Sequence, residues 1–346
     1  MPMFTTDLPH RSSAMQHLDR NAGLALPTSK LVFGGGSIGN LKTVIPESIT
    51  DSLLIEATRN GITQFDTAPL YGFGLSELRL GHHLRSLERD HYKVSTKVGR
   101  YFKAAWGSSI DRGNWFAPLD RVAVIDYSRD GIMRSLEQSL NRLGIDRIDT
   151  VLVHDIDRRN QGEHFDARFR QVVDVAIPLL HDLKAAGHIN AIGIGINEAD
   201  VAADFLREAT FDVLMLAGRV SLLNHAESLD LLALAQQRGT KVFAASVFNS
   251  GFLADIEGSG TFDYGRPDEL IRSRSRKIRD VLGRFAVPLQ AAAIQFPLRL
   301  PAIEAVVIGM SRPNQVAANL EWSTWPIPEE TWVALKHEQL IATMGT

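Results

Sequence analysis

The chain contains no cysteine, which removes disulfides, a thiolate nucleophile, Cys-ligated zinc and iron–sulfur clusters together. It also lacks an excess of positive charge. Its 37 Lys and Arg stand against 40 Asp and Glu, a net charge of −3, so neither nucleic acid nor a membrane surface is expected as the main partner. Long apolar runs are missing too. The longest charge-free apolar stretches, Ala286–Leu298 and Val242–Ala254, have 13 residues each and carry Gln or Asn, short of the roughly 20 that a spanning helix needs. The opening MPMFTTDLPHRSSAMQHLDRN mixes acids, bases and Pro without an apolar core, so no secretory signal is expected there. Gly and Pro are too sparse for a fibrous protein, and 45% hydrophobic residues exclude a disordered one. A cytoplasmic enzyme or binding domain with a large core is the expectation.

What is present is a repeating unit. Eight short, β-branched apolar runs recur, each followed by an amphipathic stretch: Lys30–Gly36, Ile62–Ala68, Tyr92–Gly99, Asp149–Asp155, Ile189–Ile196, Phe211–Gly218, Lys241–Val247 and Glu304–Met310. They are nearly continuously hydrophobic, as parallel strands covered by helices are. Between them, Ile132–Gly144 puts Ile132, Leu136, Leu140 and Leu143 on one helical face with Gly144 as its C-cap. Ile177–His188 and Glu227–Gly239 read as helices as well. Eight strand–helix units predict a single-domain (β/α)8 TIM barrel over residues 26–346, after an N-terminal extension of 1–25. Long connections follow the third, fourth and seventh runs, at Arg100–Ser128, Ile156–Phe169 and Phe248–Glu269. All three lie on the C-terminal face, where barrel enzymes carry their chemistry.

Gly34-Gly35-Gly36-Ser37-Ile38-Gly39 satisfies G-x-G-x-x-G after a strand, yet it leads into a loop containing Pro46 rather than opening a helix, so it is a poor dinucleotide fingerprint. Gly35 is read as letting the backbone pass close to something at the barrel mouth, with a merely permissive turn as the other reading. The informative residues interrupt apolar strands near their ends: Asp66, Lys97 and His154, with Tyr71 just beyond Asp66. A buried Asp and Lys are costly unless paired, so these two are expected to pair. An ammonium beside a phenol favours the phenolate, which makes Tyr71 a workable acid–base group. Neutral His154 is suited to orienting a substrate oxygen. With no strong nucleophile and no second catalytic carboxylate, hydride transfer to a cofactor is the chemistry that fits. His82-His83 lack metal-ligand spacing, and no metal is expected. The basic run Arg272–Arg279 has acidic neighbours and no interleaved aromatics, and reads as a solvated helix face.

F-D-T-A-x-x-Y-G, S-T-K-V-G, the dipeptide His154-Asp155 after an apolar strand, and a late G-x-S-x-P-x-Q-V-x-x-N together resemble the aldo-keto reductases, from about Leu31 to Trp332. The resemblance implies a (β/α)8 barrel using NAD or NADP and a tetrad of Asp66, Tyr71, Lys97 and His154. Within the family, TKVGR, VHDID, LAGRVSLLNH and VFNSGFLA look like members that oxidise the C1 hemiacetal of D-threo-aldoses, L-fucose or L-galactose to a lactone. Pyridoxal 4-dehydrogenases share the pattern, and a general aldehyde or ketone reductase is a further alternative. Some relatives act instead as nucleotide-binding regulatory subunits; the intact tetrad argues for an enzyme here.

The resemblance further implies cofactor contacts at Asn197, Ser311, Gln315 and Asn319, and Gly35, Ser246, Gly309 and Arg312 are further candidate cofactor contacts. It departs from the family at Ala217-Gly218, where Gln is common, and at Ala245-Ser246, where an aromatic is common. Arg312 is the only cation between Gly309 and Glu321, so NAD is expected over NADP, whose 2′-phosphate calls for several cations. Trp106, Trp115, Asp155 and Phe248 are the candidate contacts to a small sugar or aldehyde substrate, drawn from the long loops. The sequence leaves open whether the protein forms a homo-oligomer.

Overall fold

A computed structural model describes residues 30–255, 260–263 and 265–342; the expected extension over 1–25 lies outside them. All eight apolar runs form strands: β1 (Leu31–Gly34), β2 (Gln64–Asp66), β3 (Lys93–Val98), β6 (Ile148–His154), β7 (Ile189–Ile196), β8 (Val213–Ala217), β9 (Lys241–Ala245) and β10 (Ile303–Gly309). They close into a parallel barrel in the order β1-β10-β9-β8-β7-β6-β3-β2. Two further strands, β4 (Arg100–Ala104) and β5 (Arg121–Ile125), pair antiparallel as a separate hairpin.

Strand alternation sorts the core into two layers. Val32, Leu152, Val213, Met215, Ala305 and Val307 fill the barrel interior. Their neighbours Phe33, Val151, Val153, Leu214 and Val306 pack outward against the helices. The same alternation settles the polar positions. Asp66 follows outward-facing Phe65, Lys97 precedes outward-facing Val98, and His154 follows outward-facing Val153. All three therefore point inward at the C-terminal strand ends.

The helices end as their sequences dictate. Arg129–Leu143 is capped by Ser128 Oγ, which accepts from the Gly131 N–H, and stops at left-handed Gly144. Leu229–Arg238 stops at left-handed Gly239. Arg79 holds the β1 loop in place: its guanidinium donates to Glu47, to the Ile38 and Ile45 carbonyls and to Asn40 Oδ1. The basic run lies on Glu269–Arg284, where Arg274 donates to the Leu340 carbonyl and Arg276 pairs with Glu269. No helix among the described residues is long and apolar enough to cross a membrane.

Candidate active site

The glycine run after β1 shapes the mouth by making room for the backbone itself. A Cβ on Gly35 would lie 2.7 Å from the Asp66 carbonyl oxygen and from Ser76 Oγ. One on Gly39 would lie 2.7 Å from the Tyr71 carbonyl carbon. Gly35 thus packs on β2, where its N–H donates to the Asp66 carbonyl at 2.7 Å, while its neighbours Gly34 and Gly36 face the cavity. The close approach expected from the sequence is real, but what approaches is the backbone that carries Asp66 and Tyr71.

Asp66 and Lys97 form the expected pair. Lys97 Nζ donates to Asp66 Oδ2 at 2.7 Å, to Oδ1 at 2.9 Å and to the Thr67 carbonyl at 2.9 Å, and Ser95 Oγ donates to Oδ1 at 2.7 Å. Both side chains are 2% exposed, so this is a desolvated ion pair whose loss of either partner is costly. The Lys97 ammonium sits 4.8 Å from the centroid of the Tyr71 ring. His154 meets that ring edge-on at 5.9 Å, and Trp115 lies 5.6 Å from it on a tilted plane. Burial, then the charges of Lys97 and Arg100, hold His154 well below the usual histidine range, which keeps the ring neutral.

Two residues that the sequence does not mark out complete this end. Arg100, buried at the start of β4, donates to Asp155 Oδ2 at 2.9 Å and approaches His154 Nδ1 at 3.5 Å. Tyr127 donates to the His154 carbonyl at 2.9 Å and packs against Gly99, where a Cβ would lie 2.3 Å from its ring. The hairpin that starts at Arg100 thus supports His154 from behind.

A cavity of about 380 Å³ opens over the tetrad. Of the other candidates from the sequence, Asn197, Ser246, Gly309, Trp115 and Asp155 line it. Trp106 does not: it is 93% exposed. Phe248 packs against the hydrophobic core. Beyond β10, Gln315 Oε1 accepts from the N–H groups of Ser311 (2.7 Å) and Arg312 (3.1 Å), which shapes the turn ahead of the last barrel helix. Arg312 is exposed. Asn197 Nδ2 donates to wholly buried Asp157 at 3.1 Å, so its carbonyl end is the one left for a ligand.

These features define a (β/α)8 barrel whose C-terminal mouth gathers a buried Asp–Lys pair, a tyrosine and a neutral histidine around one cavity. The chain belongs to the aldo/keto reductase family, whose model matches residues 30–337, and it is an oxidoreductase of that family. It is 39% identical to a D-threo-aldose 1-dehydrogenase of Pseudomonas sp, over 93% of this chain and 97% of that one. It is 37% identical to a pyridoxal 4-dehydrogenase of Microbacterium luteolum, over 92% of this chain and 96% of that one. A glycerol dehydrogenase from Gluconobacter oxydans shares the fold with a TM-score of 0.70 at 20% identity, covering 94% of this chain and 96% of that one.

Aldo/keto reductases use nicotinamide cofactors, and the residues present suit one. Ala217, Ala245 and Gly309 leave the β8–β10 side of the cavity open for a ring. Nearby, Asn249 follows cavity-lining Ser246 and is wholly buried, with neither Oδ1 nor Nδ2 bonded to a described residue. Asn319 Oδ1 is buried and unbonded in the same way. Buried amides without partners are rare in folded proteins; a dinucleotide's ribose hydroxyls and adenine amino group could donate to the two amide oxygens, and a phosphate or ribose oxygen could accept from Asn249 Nδ2.

Proposed function

We propose that the protein oxidises the C1 hemiacetal of an aldose to a lactone, with Tyr71 as general base. The observation that carries this reading is the Lys97 ammonium held 4.8 Å from the Tyr71 ring by a buried carboxylate. The ammonium favours the phenolate, and Asp66 fixes the ammonium. Tyr71 takes the proton of the C1 hydroxyl, while neutral His154 donates to the same oxygen and orients it. A nicotinamide dinucleotide, when bound, would supply the hydride acceptor. Asn197, Ser246, Asn249, Gly309 and Asn319 are the residues that would hold it. In the reverse direction Tyr71 returns the proton as an acid.

An aldose is favoured over a bare aldehyde because the cavity wall beside His154 is polar, with Asp155, Asn160 and Asn197, while Trp115 offers a flat face for a sugar ring. Two similar proteins are named for an aldose and for pyridoxal, so both belong in the assay. NAD is the proposed oxidant, since exposed Arg312 is the sole cation between Gly309 and Glu321 and a 2′-phosphate is better held by several.

The test is dinucleotide reduction against L-fucose, L-galactose, D-arabinose, pyridoxal and simple aldehydes. Tyr71→Phe is expected to lower kcat by about 10²–10⁴-fold with dinucleotide affinity nearly intact. Retained turnover in that variant rejects Tyr71 as the base. Tight nucleotide binding with no turnover of any substrate points instead to a binding subunit. A kcat/KM ratio favouring NADP by about tenfold rejects the cofactor preference.

A further inference from the structure

We propose that His154 and Asp155 form a donor–acceptor pair that reads two oxygens on adjacent carbons, which makes Asp155 the residue selecting a substrate hydroxylated next to the reacting carbon. This rests on the oxidoreductase reading above and narrows its substrate class.

The geometry starts at Arg100. Its Nη1 donates to Asp155 Oδ2 at 2.9 Å and faces His154 Nδ1 at 3.5 Å. A guanidinium has no acceptor, so Nδ1 facing it must offer a lone pair, and the ring proton resides on Nε2. Nε2 lies 3.3 Å from Asp155 Oδ1 without being aligned for a hydrogen bond to it, and no other described residue donates to Oδ1. One N–H donor and one carboxylate acceptor therefore stand side by side at the cavity wall, about as far apart as oxygens on neighbouring carbons. Asp155 is held in this pose from several sides. Its backbone is left-handed, at φ 49°, which Asp tolerates better than most residues. Its N–H donates to the Gly195 carbonyl at 2.9 Å, and its own carbonyl accepts from Gln161 Nε2 at 2.6 Å. Of the other charged groups lining this cavity, Lys97 is paired with Asp66, and Arg159 makes no hydrogen bond to Oδ1.

An aldose hemiacetal with a C2 hydroxyl, or an α-hydroxy carbonyl, places the reacting oxygen on Nε2–H and its neighbouring hydroxyl on Oδ1, so both polar groups are satisfied. An aldehyde without that hydroxyl accepts from the histidine N–H but leaves Oδ1 of this mostly buried carboxylate without a substrate donor. Sites built to bond a hydroxyl reject the analogue that lacks it. In this arrangement Arg100 is a positioning residue, acting through both members of the pair.

The experiment compares reduction of lactaldehyde, 3-hydroxypropanal and propanal by the intact enzyme with reduced dinucleotide. Lactaldehyde is expected to lead propanal in kcat/KM by roughly 10²-fold or more, with 3-hydroxypropanal close to propanal. Asp155→Asn, which keeps the shape and tolerates the same backbone, collapses the ratio to within about threefold because an N–H₂ replaces the acceptor. Arg100→Met lowers the ratio as well, and Arg100→Lys restores part of it. Equal use of lactaldehyde and 3-hydroxypropanal by the unmodified enzyme, or an unchanged ratio in Asp155→Asn, overturns the proposal and leaves the oxidoreductase reading standing. Binding of L-fucose against 2-deoxy-L-fucose, followed by saturation-transfer NMR, reads the same discrimination without turnover. Failure of the catalytic reading is thereby separated from failure of this one, and equal binding of the two sugars overturns it independently.

Discussion

The barrel mouth has two unlike halves. On the β2, β3 and β6 side, buried polar groups fill the opening: Asp66 and Lys97 bond to each other and to Ser95 and Thr67, and His154 faces Arg100. On the β8, β9 and β10 side, Met215, Ala217, Ala245, Val307 and Gly309 present apolar or very small side chains. One half concentrates charge that folding alone does not require, since a buried ion pair adds little net stability over an apolar packing of equal volume. The other half gives up side-chain volume that a closed interior would keep. Charge in one half and space in the other suit a site where a flat group lies against the open side and a proton moves on the charged side.

Breaking the charged half should produce the largest effect on stability. Lys97→Met leaves the Asp66 carboxylate buried with only Ser95 Oγ as a side-chain donor, which is expected to cost about 3–5 kcal/mol of unfolding free energy in urea titrations. The double variant Asp66→Leu/Lys97→Met should recover much of that loss while remaining inactive. If the double variant is as unstable as the single one, the pair is structural and the contrast between the halves loses its meaning.

The open half should respond in the opposite sense. Ala217→Leu adds atoms to the cavity rather than to a packed interior, so stability should change by less than about 1.5 kcal/mol. Dinucleotide affinity should fall about tenfold, equivalent to about 1.4 kcal/mol, as read by quenching of intrinsic fluorescence. A stability loss without an affinity change would show that this side is ordinary core.

The contrast between the halves is only partly legible in the sequence. The eight apolar runs, the two glycine-stopped helices and the inward polar residues of β2, β3 and β6 follow from local periodicity, which a strand or helix expresses wherever it lies. The β4–β5 hairpin is hidden because Arg121–Ile125 is only half-buried, and its short β-branched run sits inside a long polar connection. Arg100 is hidden for a different reason. Its importance comes from Asp155, 55 positions away, and no local pattern encodes that meeting. Trp106 misleads for the converse reason: an aromatic in a loop suggests a binding surface, but the loop turns it to solvent. Asn249 carries only a weak signal, an Asn-Ser-Gly after a strand, and its significance lies in the two buried amide atoms that the fold leaves unbonded.

The last expected effect concerns pH. Burial, Lys97 and Arg100 push the His154 pKa down from 6.5, so below that value the unfolded state binds a proton that the folded site refuses. Stability from this group is then complete above about pH 6.5 and drains away as pH falls toward the folded value, with a slope of at most about 1.4 kcal/mol per pH unit. His83 and His225 are shifted in the same direction by burial and contribute a background common to the wild type and any His154 variant. The informative quantity is therefore the difference between wild type and His154→Gln in unfolding free energy measured from pH 7.5 to pH 5. That difference should be flat above pH 6.5 and should shift in favour of the variant as the solution becomes acidic, because glutamine has no proton to accept. A pH-independent difference would mean that His154 takes up its proton in the folded state as readily as in the unfolded one. The charged half of the mouth would then not be the desolvated environment that its buried ion pair indicates.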